Sequence, residues 1–218
     1  TKEVIVGLCK AGMNVARLNF SHNTHADHQR RIDLVKEVRD ELQLPIAIML
    51  DTKGPEYRIK TFEGGKILLS DGDRFTFPPD DIVGNRARVS VSYEKLPEEL
   101  SVGDTILLNN GLLTFLVEKI DGTDIECKVL CGGELSDRKS MSFPGKVMKQ
   151  PYLSEQDKKD IKWGVENSVD YVACSFVSCK QDLIDVRNYM HEIGAEDIEL
   201  IAKIENQSGV DNIEEICE

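Results

Sequence analysis

The sequence predicts an α/β fold of parallel strands interrupted by an all-β segment, and the changes of hydrophobic period along the chain predict it. Helix-like and strand-like periods alternate over residues 1–57 and again over 150–218. Between them, short apolar or β-branched runs are separated by Gly64-Gly65, Asp71-Gly72, Asn110-Gly111, Asp121-Gly122 and Gly132-Gly133, dipeptides that favour tight turns. Alternation of helix and strand implies parallel strands covered by helices. The chain therefore reads as one discontinuous α/β domain, residues 1–57 and 147–218, carrying a small barrel-like β domain at 58–146.

Each element has its own warrant. Glu3 to Ala11 sets Val4, Leu8 and Ala11 on one helical face, and Gly12 stops the helix. Asn14 to Phe20 is strand-like, and the period of two puts Val15, Arg17, Asn19 and Ser21 on one side. Thr24-x-x-Asp27 resembles a capping box opening a helix to Leu42, with Ile32, Val35, Val38 and Leu42 inward. Pro45 precedes a buried-strand run, Ile46 to Leu50, which ends in Asp51-Thr52-Lys53-Gly54-Pro55. After the β segment, Ser154-x-x-Asp157 caps a helix to about Asn167, with Ile161 and Val165 inward. Tyr171 to Val177 is a strand. Gln181 to Ile193 is a helix striped by Leu183, Val186, Met190 and Ile193, and Gly194 ends it. Ile198 to Ile204 is the next strand, and Asn212 begins a last helical turn or two.

Composition excludes several function classes. With 27 Lys plus Arg against 39 Asp plus Glu in 218 residues, the formal charge is -12, the opposite of the clustered cations that bind nucleic acid. No apolar run approaches the roughly 20 residues that span a bilayer. Thr1 to Lys10 lacks the charged start and apolar core of a signal peptide, so a cytoplasmic protein is expected. The six cysteines form no C-x-x-C pair and read as free thiols in a reducing compartment.

Chemistry in α/β folds gathers at the C-terminal ends of parallel strands, and every strand read here ends in polar groups. Arg17, Asn19, Ser21 and His22 follow the first, Asp51, Thr52 and Lys53 the second, Ser175 and Phe176 the third, and Lys203, Glu205 and Asn206 the fourth. Each has a plainer explanation: a solvated sheet face for Arg17-x-Asn-x-Ser, a turn cap for Asp51, an ion pair along one strand for Lys203 and Glu205. Arg17 between apolar neighbours is costly to bury without a partner, which favours an anion. His25 and His28 read as surface histidines around a helix start, because no fourth metal ligand accompanies the His22, His25, His28 spacing.

Longer strings carry a resemblance. Gly12-Met-Asn-Val-Ala-Arg-Leu-Asn-Phe-Ser-His22, Leu50-Asp-Thr-Lys-Gly-Pro-Glu-Tyr-Arg58, Ser140-Met-Ser-Phe-Pro-Gly145, Ala173-Cys-Ser-Phe-Val177 and Ile201-Ala-Lys-Ile-Glu-Asn206 resemble pyruvate kinase motifs, in order and along essentially the whole chain. The resemblance implies part of a TIM-type (β/α)8 barrel with an inserted small all-β barrel domain acting as a lid. It implies the glycolytic transfer of phosphoryl from phosphoenolpyruvate to ADP, giving pyruvate and ATP, with Mg²⁺ (or Mn²⁺) and K⁺. By the same resemblance, Arg17 holds the phosphate of phosphoenolpyruvate and Lys203 stabilises the transferring phosphoryl group. Glu205 is one of two Mg²⁺ carboxylates, while Asn19, Ser21, Asp51 and Thr52 hold K⁺. Asn19, His22, Arg58 and Lys139 contact the nucleotide, and Glu56 matches the K⁺-dependent branch. Ser178, Asn110 and Ser142 depart from common family residues.

The roughly 130 residues outside the insert are about half of the ~250 a TIM barrel uses. The chain is therefore expected to be a fragment of a homotetrameric parent, with the second Mg²⁺ carboxylate beyond Glu218 and little turnover of its own. The alternative is an inert nucleotide-binding or assembly module.

Overall fold

The computed structural model describes residues 1–146 and 148–218 and divides into two compact units, Thr1–Pro55 with Gln150–Glu218, and Glu56–Lys149. In chain order, the first unit opens with α1 (Lys2–Lys10), β1 (Val15–Asn19), α2 (His25–Leu42) and β2 (Ala47–Asp51). The second unit comprises β3 (Tyr57–Arg58), β4 (Lys66–Leu69), β5 (Arg74–Phe77), α3 (Leu96–Glu99), β6 (Thr105–Leu108), β7 (Leu113–Asp121), β8 (Asp124–Cys131), β9 (Gly133–Ser136) and β10 (Ser140–Ser142). The chain then re-enters the first unit with α4 (Glu155–Glu166), β11 (Tyr171–Cys174), α5 (Lys180–Glu192), β12 (Glu199–Ala202), α6 (Gln207–Asp211) and α7 (Ile213–Cys217).

The first unit is built on a four-stranded parallel sheet in the order β1-β2-β11-β12. Leu18, Leu50 and Val172 alternate onto one face and are buried in a core with Ile32 of α2, Ile161 of α4 and Val186 of α5. The opposite face carries Arg17, Asn19, Asp51 and Ser175, as the period of two requires. Close helix-to-sheet approach explains a glycine in mid-helix: a Cβ on Gly164 would sit 2.5 Å from the Leu50 side chain.

Several helical details differ from the sequence reading. Val4 and Leu8 of α1 are exposed, and Cys9 with Ile5 packs inward instead. Two competing i, i+4 stripes run along α1, and only the tertiary neighbours choose between them. Asn206, which reads only as a strand end, caps α6 by accepting the Gly209 amide at 2.8 Å. Helix therefore begins before Asn212. Strand β11 stops at Cys174, short of Val177, because Phe176 turns into the left-handed region at φ +58°.

The capping box of α2 is present: the Thr24 hydroxyl accepts from the Asp27 amide, and the Asp27 carboxylate accepts from the Thr24 amide. The surface reading of the two histidines is corrected. His28 is only 1% exposed, stacks on Phe20 at 4.1 Å and donates from Nε2 to the His22 carbonyl at 3.0 Å. His25 is half-buried against Trp163 and contacts the buried Asp160 carboxylate at 2.6 Å. The packing of α4 beside the start of α2 buries these rings, and no local pattern reveals it.

Burial lowers the pKa of His28 below its ordinary 6.5. Arg31 and His25 act in the same sense, against the His22 carbonyl bond and Asp160. Among the described residues its Nδ1 has no hydrogen-bond partner, so a second proton would be buried unpaired. The unfolded chain thus binds the proton more readily than the folded one. The His28 contribution to stability is complete above pH 6.5 and is lost as pH falls through the lower folded value. Urea titrations across this range are expected to show stability declining below pH 6.5, with a smaller decline in His28→Gln.

The second unit holds an antiparallel six-stranded sheet, β3-β10-β6-β7-β8-β5, and a two-stranded sheet, β4-β9. Strands β7 and β8 form a hairpin closed at Gly122, where φ is +62°. Its core centres on Phe75, Phe77 and Phe115, whose rings lie 5.4 to 5.8 Å apart. The four-residue α3 is too short to show a helical period in sequence. Cys127 and Cys131 lie on the same strand, β8, and all six cysteines are free. Burial pushes the Cys127 and Cys174 thiols up to about 12.

Candidate active site

The parallel register aligns the strand ends of the first unit. Asn19 pairs with Asp51, Asp51 with Ala173, and Ala173 with Ile201. One period further along, Ser175 and Lys203 leave β11 and β12 on the same face. Four strands thus deliver Arg17, Asp51, Ser175 and Lys203 to one place.

Asp51 is the hub. Its carboxylate is 1% exposed and accepts from Arg17 Nε at 2.6 Å, with Arg17 Nη2 on the same oxygen. The other oxygen accepts from Lys203 Nζ at 2.8 Å and lies 3.2 Å from Ser175 Oγ. With Glu205 beside Lys203, two cations face two carboxylates and the cluster is formally neutral. Arg17 is half exposed, so its guanidinium can still offer donors to an anion. A guanidinium fork beside an ammonium is the donor set that suits a phosphate.

Lys203 touches three acceptors. Besides Asp51 it donates to Ser175 Oγ at 2.7 Å, and it sits 3.4 Å from Glu205 Oε1. The second Glu205 oxygen accepts from the Phe176 amide at 3.0 Å, a donor aimed by the left-handed turn at Phe176. Such strain costs about 1–3 kcal/mol and persists where the surroundings over-determine it. Asn206 holds the turn from below, its Nδ2 donating to the Phe176 and Val177 carbonyls.

A glycine turn completes the wall. Gly54 has φ +64°, and a Cβ there would lie 2.7 Å from the Ser175 carbonyl oxygen. The Gly54 amide donates to the buried Asp157 carboxylate at 3.1 Å, and Tyr152 donates to the Ser175 carbonyl at 2.7 Å. Sequence reasoning missed Asp157 and Tyr152 as supports of this wall. Asp157 reads only as a capping partner, which it also is, and Tyr152 lies in a loop without a period.

Asn19, Ser21 and Thr52 border the same strand ends. Asn19 Oδ1 accepts from the Ser21 amide at 2.9 Å. The buried Thr52 accepts from the Ser175 amide through Oγ1 and from the Ser175 hydroxyl through its carbonyl, at 3.1 and 2.6 Å. These donors are all oxygens, which fits a hard cation such as K⁺. Among the described residues no group of three or more His, Cys, Asp or Glu gathers as a metal site. Glu205 alone fits Mg²⁺ only in the mode in which one or two carboxylates share the ion with substrate oxygens and water. His22 follows this cluster and is held through its carbonyl by His28.

Arg58 and Lys139 belong to the second unit, on neighbouring stretches of β3 and the approach to β10. Arg58 pairs with Ser140 in register, and Ile59 donates to the Lys139 carbonyl at 3.0 Å. The Arg58 guanidinium is held by Glu56 and by the Arg138 carbonyl. It opens onto a cavity of about 530 Å³ lined also by Lys60, Ser92 and Arg138.

A family model described as the pyruvate kinase barrel domain matches residues 1–218. The chain is similar to a protein named pyruvate kinase from Clostridium perfringens, 43% identical over 217 residues, covering 99% of this chain and 46% of that protein. A pyruvate kinase from Clostridium acetobutylicum is 42% identical over 219 residues, covering 100% and 46%. One from Staphylococcus haemolyticus is 41% identical over 220 residues, covering 100% and 38%. The chain spans less than half the length of these relatives.

Proposed function

Because the chain belongs to the pyruvate kinase family, we propose that it supplies the phosphoryl-handling part of a site that transfers phosphoryl from phosphoenolpyruvate to ADP. The observation that carries this reading is the buried Asp51 carboxylate ringed by Arg17 and Lys203. The four parallel strands are read as part of a (β/α)8 barrel, and Glu56–Lys149 as an inserted β domain that contributes Arg58 and Lys139 to the nucleotide.

The residues divide the work by their chemistry. Arg17 would bind and orient the phosphate of phosphoenolpyruvate through its exposed donors. Lys203 would offer the N–H that faces Glu205 to the oxygens of the transferring group, where negative charge spreads in a loose transition state. Preorganised charge of this kind acts without reorganisation at the moment of reaction. Glu205 would share Mg²⁺ with substrate oxygens. Asn19, Ser21, Asp51 and Thr52 would hold K⁺. When bound, these cations supply further neutralisation of phosphate charge.

The reaction is proposed for the polypeptide that carries this segment. ATP formation from phosphoenolpyruvate and ADP, with Mg²⁺ and K⁺ present, tests it. The same assay on the 218 residues alone decides between a catalytic segment and an inert binding module.

A further inference from the structure

We infer that Ser175 is a positioning residue that fixes the Lys203 ammonium before any substrate arrives. The inference rests on the phosphoryl-transfer reading for its purpose, but its geometry stands on the fold alone. Ser175 is 2% exposed and sits at the end of β11 beside the strand that carries Lys203. Its hydroxyl has one proton and two lone pairs. Lys203 Nζ has only donors, so at 2.7 Å Ser175 Oγ must accept from it. The serine proton then goes to one of two acceptors, the Thr52 carbonyl at 2.6 Å or Asp51 Oδ1 at 3.2 Å. The shorter contact takes it. A directed chain results, from the ammonium through the hydroxyl to a backbone carbonyl, and it removes the rotational freedom of both side chains.

Three contacts hold the serine itself still. Its amide donates to Thr52 Oγ1 at 3.1 Å, its carbonyl accepts from Tyr152 at 2.7 Å, and Gly54 presses against that carbonyl where no Cβ would fit. The left-handed Phe176 follows directly and ends the extended run of β11. Asp51 alone would anchor the ammonium at one point and leave it free to swing. With Ser175 as the second point, the third N–H is directed towards Glu205 at 3.4 Å, the side on which a phosphoryl group would replace it.

The test is the hydrogen exchange of the Lys203 ammonium with water, followed by nitrogen-15 NMR of lysine-labelled chain and assigned by its loss in Lys203→Arg. The wild-type signal is expected to be protected. Ser175→Ala is expected to speed exchange roughly tenfold, the worth of one hydrogen bond to a charged group. Ser175→Cys, close in volume but with a weak acceptor, should do the same if the alanine variant fails to fold. Unchanged exchange in a folded variant overturns the inference. A double-mutant cycle on phosphoenolpyruvate affinity separates positioning from general support. Ser175→Ala should weaken binding in the wild-type background and cost nothing further in Lys203→Met, whereas equal losses in both backgrounds would also overturn the inference. Absence of phosphoenolpyruvate binding by the wild type would count against the proposed function, and the exchange result would still decide the role of Ser175.

Discussion

Replacing Asp51 by alanine is expected to destabilise the α/β unit by about 3 kcal/mol, the lower end of the range for breaking a buried ion pair. The carboxylate is 1% exposed and is the common partner of Arg17 and Lys203. Its removal brings two cations together without the anion between them. Arg17 is half exposed and can return to water, but Lys203 is three-quarters buried and held by neighbouring strands. The unequal escape of the two cations sets the estimate at the lower end. Asp51→Asn should cost less, because the amide oxygen still accepts from Lys203 while the charge is lost. Urea unfolding followed by fluorescence or circular dichroism measures both. The midpoint should move while the denaturant slope stays constant, since the compactness of neither state is altered. A change below about 0.5 kcal/mol for Asp51→Ala would place it among ordinary surface substitutions and remove Asp51 from the centre of the network.

The second large effect concerns rate. Lys203→Met is expected to lower kcat for the proposed phosphoryl transfer by about a thousandfold, within the range for losing one preorganised charge at a developing anion. Stability should change far less. Asp51 keeps the Arg17 guanidinium as its partner, and the methionine stem occupies much of the lysine path. KM for phosphoenolpyruvate should rise roughly 10- to 100-fold, because Arg17 alone is left to bind the phosphate. A variant with unchanged kcat would move the phosphoryl contact to another cation.

Much of this arrangement is written in local chemistry. Arg17 between Val15 and Leu18 signals a cation that needs an anion, and the partner is Asp51 of the adjacent strand. Thr24 and Asp27 announce the start of α2 because both halves of a capping box lie within four residues. What escaped the sequence depends on contacts distant in the chain. The choice between the Val4/Leu8 and Ile5/Cys9 stripes of α1 is made by the core it meets. His28 is buried by a ring eight residues earlier and by a helix more than a hundred residues later. Ser175 reads as one more polar strand end, and only the 2.6 and 2.7 Å contacts from opposite sides make it a connector. Phe176 is harder still, since no sequence rule assigns φ +58° to a phenylalanine.

Arg17, Asp51 and Lys203 are proposed to form a binding site for the phosphate of phosphoenolpyruvate. Calorimetric titration of phosphoenolpyruvate into the 218-residue chain, in the presence of Mg²⁺ and K⁺, tests it most directly. Saturable one-site binding is expected, competed by inorganic phosphate and weakened roughly 10- to 100-fold by Arg17→Met or Lys203→Met, the loss of one charge-assisted contact. Absence of binding by the wild-type chain, or binding that neither substitution alters, would contradict it.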